Sequence, residues 1–332
     1  MRYKVGMYGG CFDPLHLGHI NNIVQASAQC EVLHIILCHN PVRDRIDYRV
    51  RYRWLRETCG HLPNIKIHCI EDVDTSKEQC NWEDGAEKIR AVIGTEIDVV
   101  FCGSDYIGTE IFENLYPNSA IRYFSRYAVP VSSTEIFDSP MKYWDYIPKV
   151  ARYFFAKKVL VIGGESTGKS VLCQNLALAY NTNFVEEYGR YTCERAGGED
   201  FMTAEDLYEN LIMQKAEIYK AQMTANKLLF VDTDALTTAF YAELLNEGEV
   251  CENLATLINT ISNWDLVLFL EPTVPFVQDG TRSDRIAEER KQCSDMLKSY
   301  YERAGVPFEI ISGDYLTRYQ QAQMLIKYHC GV

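Results

Sequence analysis

The sequence lacks long apolar runs: nowhere do about 18 consecutive apolar residues occur, so no membrane-crossing helix is expected. Its first residues carry no apolar stretch of signal-peptide type. Basic residues are in deficit. The 33 Lys and Arg face 46 Asp and Glu, for a formal net charge of −13. Such a chain has no positive excess to neutralise a nucleic-acid backbone, which argues against non-specific DNA or RNA binding. Small phosphorylated ligands remain open, because they need only a local cluster of Arg, Lys and backbone N–H groups. Closely spaced cysteines are also lacking. No two of the twelve form a C-x-x-C pair, so neither a zinc site nor a thioredoxin-like motif is expected. Most lie in or beside apolar runs such as Leu33–Cys38, and read as small buried hydrophobes in a reduced, cytoplasmic compartment. Internal repeats and low-complexity tracts are missing too.

What remains is the composition of an ordinary globular enzyme, 47% apolar and 24% charged over 332 residues, enough for two domains. Short apolar runs alternate with amphipathic stretches. Tyr3–Tyr8, Val32–Cys38, Ile65–Ile70, Val99–Cys102 and Ala120–Phe124 read as buried strands, with helices near 18–29, 48–59, 82–93 and 105–115. The scheme then restarts. Lys158–Ile162, Leu228–Val231, Leu266–Leu270 and Phe308–Ile311 read as strands, with helices at 169–180, 203–224, 234–246, 286–303 and 314–329. Strands separated by helices imply two α/β domains with parallel sheets. Asp138-Ser139-Pro140 and Pro148 break the pattern. The expected division is a domain at 1–140, an aromatic-rich linker at 141–156 that packs between the domains, and a domain at 157–332.

Gly163-Gly164-Glu165-Ser166-Thr167-Gly168-Lys169-Ser170 fits G-x-x-x-x-G-K-[ST], with a β-branched run before it and a helical pattern after it. Glycines let backbone N–H groups turn towards phosphates, and the helix N-terminus favours negative charge. Lys169 is expected to bridge β- and γ-phosphates, and Ser170 to ligate Mg²⁺. Asp232 and Asp234 end a second apolar strand, where a metal-organising carboxylate belongs. Glu187 is placed to accept a proton from a substrate hydroxyl, and Arg190 to contact phosphate. Asp279–Arg285, with Arg282, and then Arg290 read as a lid whose arginines close on the transferring phosphoryl group.

Near the start, Gly9-Gly10-Cys11-Phe12-Asp13-Pro14-Leu15-His16-Leu17-Gly18-His19 follows the first strand. Glycines and two histidines three apart at a helix start make an anion-binding surface. Imidazole N–H groups there can stabilise a pentavalent phosphorus without covalent participation.

These residues resemble the nucleotidylyltransferase signature of the nicotinamide-mononucleotide adenylyltransferase branch. Val131-Ser132-Ser133-Thr134-Glu135-Ile136 is similar to that branch's second motif, Ile-Ser-Ser-Thr-x-Ile-Arg. With the phosphate loop, Glu-Tyr-Gly-Arg at 187–190, Asp-Thr-Asp at 232–234 and Asp-Gly-x-Arg at 279–282, the whole chain resembles the bifunctional NadR proteins. The resemblance implies a Rossmann-like N-terminal domain and a C-terminal P-loop kinase. Nicotinamide riboside and ATP would give nicotinamide mononucleotide, and a second ATP would then give NAD and pyrophosphate. It implies ATP contacts at Gly9, Gly10, Phe12, Ser132, Ser133 and Thr134 in one domain. In the other it implies them at Gly163, Glu165, Ser166, Thr167, Gly168, Lys169, Ser170 and Arg282. His16 and His19 would serve adenylyl transfer. Trp82 resembles the family's nicotinamide-stacking aromatic, and Phe276 a stacking aromatic of the kinase; Arg190 and Asp234 complete the substrate side. The helix-turn-helix at the front of some members is expected to be missing, since the first strand starts at Tyr3, so no repressor is implied.

One position departs from the motif. Residue 137, where the second motif ends in Arg, is Phe. Phe offers no charge to ATP phosphates, so weak adenylyl transfer is expected, with Arg43, Arg45, Arg122 or Arg126 as candidates to compensate. Two further readings stay open. The N-terminal domain could sense NAD or ATP without turnover and regulate the kinase or a nicotinamide riboside transporter. Alternatively, the chain could fuse a pantetheine-phosphate adenylyltransferase to a dephospho-coenzyme A kinase, against which His16 counts. The sequence is compatible with an oligomer.

Overall fold

The computed structural model of the protein describes residues 2–72, 81–244, 248–277 and 289–332. The chain divides into two compact units, Met1–Ala151 and Arg152–Val332. Among the described residues no helix is long and apolar enough to cross a membrane.

In the first unit, β1 (Tyr3–Gly10), β2 (Cys30–His39), β3 (Ile65–Glu71), β4 (Val99–Gly103) and β5 (Ala120–Phe124) form one parallel sheet in the order β3-β2-β1-β4-β5. Helices α1 (Leu17–Gln29), α2 (Tyr48–Cys59), α3 (Trp82–Ile93), α4 (Ile111–Leu115) and α5 (Ser133–Asp138) connect or follow the strands. Strands β2 and β4 are largely apolar because both faces of such a sheet are covered: Leu33, Ile35, Ile36, Leu37, Val99 and Val100 are all fully buried. On one face Met7, Ile36, Ile70 and Val100 pack against Ala86 and Ile93 of α3. The strand order reverses between β1 and β4, which opens a crevice at their carboxyl ends. The Gly9–His19 segment lies at that crevice.

One expected helix divides. Residues 105–115 form a 3-10 turn at Ser104–Tyr106 and then α4, because Gly108 and Glu110 take φ of 82° and 57° between them. A right-handed helix cannot run through two such residues.

Helix α6 (Lys149–Phe155) leads into the second unit. Strands β6 (Lys157–Ile162), β7 (Phe184–Val185), β8 (Leu228–Asp232), β9 (Leu266–Leu270) and β10 (Glu309–Ile311) form a parallel sheet in the order β10-β9-β6-β8-β7. Around it lie α7 (Lys169–Ala179), α8 (Tyr188–Ala196), α9 (Ala204–Gln222), α10 (Ala235–Leu244), α11 (Gly248–Thr260), α12 (Arg290–Arg303) and α13 (Tyr315–Cys330). Its core joins Val159, Val161, Phe230 and Leu268 of the sheet to Leu172 and Leu176 of α7 and Ile326 of α13. Helices α8 and α11 go beyond the sequence expectation; α8 carries five charged or aromatic residues in nine, with only Thr192 and Cys193 buried, so its apolar signal is weak.

Packing at β1 is tight. A Cβ on Gly6 would lie 2.2 Å from Cys30 Sγ and 3.2 Å from Phe101 Cε2. Gly6→Ala is therefore expected to destabilise the chain by about 1–3 kcal/mol, as overpacking does. Adding Cys30→Ala should recover part of that loss in a denaturant titration.

Candidate active sites

In the first unit the crevice is lined by Tyr8, Gly9, His16, Gly18, His19, Tyr106 and Arg126, and encloses about 180 Å³. His16 is the N-cap of α1, in extended conformation, rather than a residue within the helix. Its Nδ1 accepts the N–H of Gly18 at 3.1 Å and of His19 at 3.4 Å, while His19 Nδ1 accepts the N–H of His16 at 3.4 Å. The two rings stack with centroids 3.7 Å apart. Burial, helped by nearby Arg126, pushes the His16 pKa down to about 4; burial and His16 hold His19 well below the ordinary histidine range. Both rings are thus neutral near pH 7. Since each Nδ1 accepts, each proton sits on Nε2, leaving two N–H donors that the backbone does not use.

Phe12, at φ 50°, is buried and packs edge-on to His19 with centroids 5.0 Å apart, so its side chain supports the histidine and only its backbone is left to face a ligand. Ser132 caps α5 in a reciprocal pair with Glu135, and Ser133 Oγ donates to the Pro14 carbonyl at 3.0 Å. Thr134 is exposed. Trp82 opens α3, 37% exposed, edge-on to Tyr106 and Phe112. Tyr106 lines the crevice, so Trp82 stands one ring behind its wall.

Sequence reasoning passed over Arg51. It is fully buried on α2, donates to the Cys11 carbonyl at 2.5 Å and pairs with Asp44. Asp44 also accepts the N–H of Asn40 at 3.0 Å, and Asp13 accepts that of Arg45 at 2.8 Å. The segment 40–47 is thereby moored against the glycine-rich loop. An arginine at a buried position of an otherwise amphipathic helix was the available signal, at i+3 before Trp54 and i+4 before Leu55.

In the second unit the phosphate loop runs from β6 into α7 beside a cavity of about 270 Å³. Glu165, Ser166, Thr167, Gly168, Lys169, Ser170, Glu187 and Arg190 all line it. Gly163 has φ 148°, and a Cβ there would meet the Leu270 carbonyl at 2.6 Å, so only glycine fits. Thr167 Oγ1 and Lys169 Nζ both donate to the Gly164 carbonyl, at 2.8 and 3.2 Å. Ser170 Oγ donates to Asp232 Oδ2 at 2.5 Å, joining the end of the loop to the end of β8. These hard oxygens, one of them on a carboxylate 1% exposed, suit Mg²⁺.

Glu187 caps α8 by its backbone and keeps its carboxyl out of the capping role. Gln214 of α9 accepts the N–H of Tyr188 at 2.7 Å and donates to the carbonyls of Asp232 and Thr233, so it ties the Glu187 turn to the end of β8. Asn210, one turn earlier and bonded to Thr192 at 2.6 Å, lines the cavity. Both were missed, although two amides four apart within the stripe Leu207, Leu211, Ile218 were a visible signal.

Asp234 stands apart from the cavity. Its buried carboxylate accepts Tyr301 OH and the N–H groups of Leu236 and Thr237, so the fold absorbs it. Burial pushes its pKa up. Phe276 packs under the Arg290 guanidinium, which donates to the carbonyls of Ser166 and Val274; it buttresses the loop rather than lining the cavity. Arg282 and the rest of Asp279–Arg285 lie outside the described residues. Arg318, 2% exposed on α13, donates to the carbonyls of Thr167 and Glu271 and to Thr273 Oγ1.

Comparison with known proteins finds two family matches, which overlap at residues 158–181. Residues 7–181 match the cytidylyltransferase-like family and residues 158–318 the AAA domain family. The trifunctional NAD biosynthesis/regulator protein NadR of Escherichia coli is 30% identical over 98% of this chain and 83% of its own length. Its counterpart in Salmonella typhimurium is 30% identical over 99% and 84%. Two crystal structures of NadR protein are similar, each 25% identical. One, in complex with NR, has a TM-score of 0.85 over 100% of this chain and 97% of that chain; the other, with NAD and AMP-PNP, has 0.82 over 99% and 97%.

The depressed histidines make a stability prediction. His16, His19, His34 and His68 all lie below the ordinary value when folded, chiefly through burial, and return to about 6.5 when unfolded. Below that pH the unfolded chain binds more protons, so these groups withdraw stability as pH falls. For His16 and His34 the window runs from 6.5 to about 4. Melting temperature should drop from pH 7 to pH 5, and less so in a His34→Asn/His68→Asn variant.

Proposed function

The chain belongs to the NadR family, and from that membership we propose an enzyme of NAD biosynthesis with two ATP-dependent activities. The second unit phosphorylates nicotinamide riboside to nicotinamide mononucleotide. The first transfers the adenylyl group of ATP to that mononucleotide, giving NAD and pyrophosphate. The functional division follows the expected domains at 1–140 and 157–332, and the compartment is the cytoplasm.

The observation that carries the kinase reading is the Ser170–Asp232 hydrogen bond, which closes the phosphate loop beside a cavity shared with Glu187 and Arg190. ATP phosphates lie in the loop N–H groups, with Lys169 moving from the Gly164 carbonyl onto the β- and γ-oxygens. Glu187 orients the riboside hydroxyl and takes its proton as oxygen attacks the γ-phosphorus and the bond to ADP breaks. Arg190 stabilises charge on the transferring group. Ser170 and Asp232 would hold Mg²⁺, which when bound neutralises charge on the β- and γ-oxygens. Tyr241 presents a buried hydroxyl to the same cavity, with no hydrogen-bond partner among the described residues, and is placed to donate to the nucleoside.

In the first unit the mononucleotide phosphate attacks the α-phosphorus directly. The two Nε2–H groups of His16 and His19 donate to oxygens whose charge grows in the transition state. Being neutral, they donate these hydrogen bonds without bringing a formal charge of their own. Gly9 and Gly10 let the backbone approach the nucleotide, and Trp82 offers a ring to nicotinamide.

Purified protein with ATP, Mg²⁺ and nicotinamide riboside should form the mononucleotide and then NAD; dephospho-coenzyme A should not be an acceptor. Lys169→Ala should cut kinase turnover by about 10²–10³ or more, the scale of losing one transition-state donor. Undiminished turnover in that variant would refute the assignment. Glu187→Gln should lower kcat while leaving the KM for ATP near the wild-type value; wild-type kinetics would move the proton-accepting role elsewhere.

A further inference from the structure

The second motif of the first unit ends at Phe137, where an arginine for ATP phosphates is expected. The structure puts a guanidinium there from another part of the chain. Arg45 lies over the Phe137 ring, its Cζ 4.7 Å from the centroid. We propose that Arg45, seated on Phe137, is the ATP-phosphate ligand of the adenylyltransferase site, so that position 137 supplies a platform instead of a charge. This rests on the adenylyltransferase reading of the first unit.

Four observations lead to it. The Arg45 backbone is pinned to the nucleotide loop, its N–H donating to Asp13 Oδ2 at 2.8 Å. On either side, Asp44 is paired with buried Arg51 and Ile46 is buried, so the residue projects from a fixed base. Phe137 shares a face of α5 with Ser133, four residues earlier, whose hydroxyl donates to the Pro14 carbonyl. Arg45, Phe137, Ser133 and His16 are thus gathered around one stretch, Asp13–His16. Finally, the guanidinium is available. Among the described residues it pairs with Asp138 at 3.3 Å, the side chains being 43% and 62% exposed, a solvated contact that a polyphosphate can displace.

The other candidate arginines are placed differently. Arg43 pairs with Asp72, and Arg122 donates to Tyr3 OH at 3.1 Å. Arg126 lines the histidine crevice and pairs with Asp105 at 2.9 Å in a similarly solvated contact. None of them stacks on residue 137. Arginine suits such a seat because its planar, weakly hydrated cation lies well on an aromatic face while its N–H edge still faces outward.

The test is steady-state NAD formation by the full chain from ATP and nicotinamide mononucleotide. Arg45→Ala should raise the KM for ATP about ten- to hundredfold, the scale of a charge-assisted contact, and leave the KM for the mononucleotide near wild type. Arg45→Ala/Phe137→Arg should recover most of the loss, because the charge returns from the neighbouring position. An unchanged KM for ATP in Arg45→Ala overturns the proposal, as does an equal rise in both KM values without recovery in the double variant. Wild-type chain that forms no NAD while its kinase runs would refute the adenylyltransferase reading itself. The inference is then read by calorimetric ATP titration in the Lys169→Ala background, where Arg45→Ala should weaken the remaining site tenfold or more; equal binding overturns it.

Discussion

A loop that aims its N–H groups at phosphate must turn its carbonyls inward, where water does not reach them. Each carbonyl left there without a donor would cost about 1–3 kcal/mol. Both units answer with a buried arginine from a helix outside the loop. Arg51 reaches the Cys11 carbonyl, and Arg318 reaches those of Thr167 and Glu271. One guanidinium offers five donors in a fixed fork, so it can hold several carbonyls at once. The cost is a buried cation. Arg51 offsets it with Asp44, whereas Arg318 relies on carbonyls and Thr273.

That arrangement makes the loops rigid before any ligand arrives. In the second unit Gly163 threads past the Leu270 carbonyl, Arg290 holds Ser166, and Arg318 holds Thr167, so the backbone donors are set by the protein. Catalysis by electrostatic stabilisation depends on such donors being in place without reorganisation. In the first unit the same rigidity comes from the His16 cap and the mooring of 40–47. Lowered histidine pKa values are its by-product: the burial that fixes the rings also keeps them neutral.

The strands, the two parallel sheets and both nucleotide loops were legible in the sequence. Strand periodicity, glycine spacing and the lysine–serine pair are local signals, and parallel α/β topology follows from their alternation. Trp82 at the head of α3 and Ser170 with Asp232 were legible for the same reason. The 105–115 helix was misread because the interrupting residues, Gly108 and Glu110, break it by backbone angles that composition does not display.

What the sequence by itself determined is the set of chemical groups and the order in which they are strung: two phosphate loops, two histidines, a lysine, and acids at strand ends. Tertiary structure alone decided which of them share a site. Asp232 and Asp234 look alike two residues apart, yet one meets Ser170 and the other is consumed by Tyr301 and the start of α10. Four arginines were equivalent candidates for one missing charge, and only the packing of 40–47 against Asp13 sets Arg45 on Phe137. The reason is physical: the Ser170–Asp232, Asp234–Tyr301 and Arg45–Phe137 pairings bring together residues 62 to 92 positions apart, and contacts at that range are fixed by sheet order and helix packing, which no local pattern encodes.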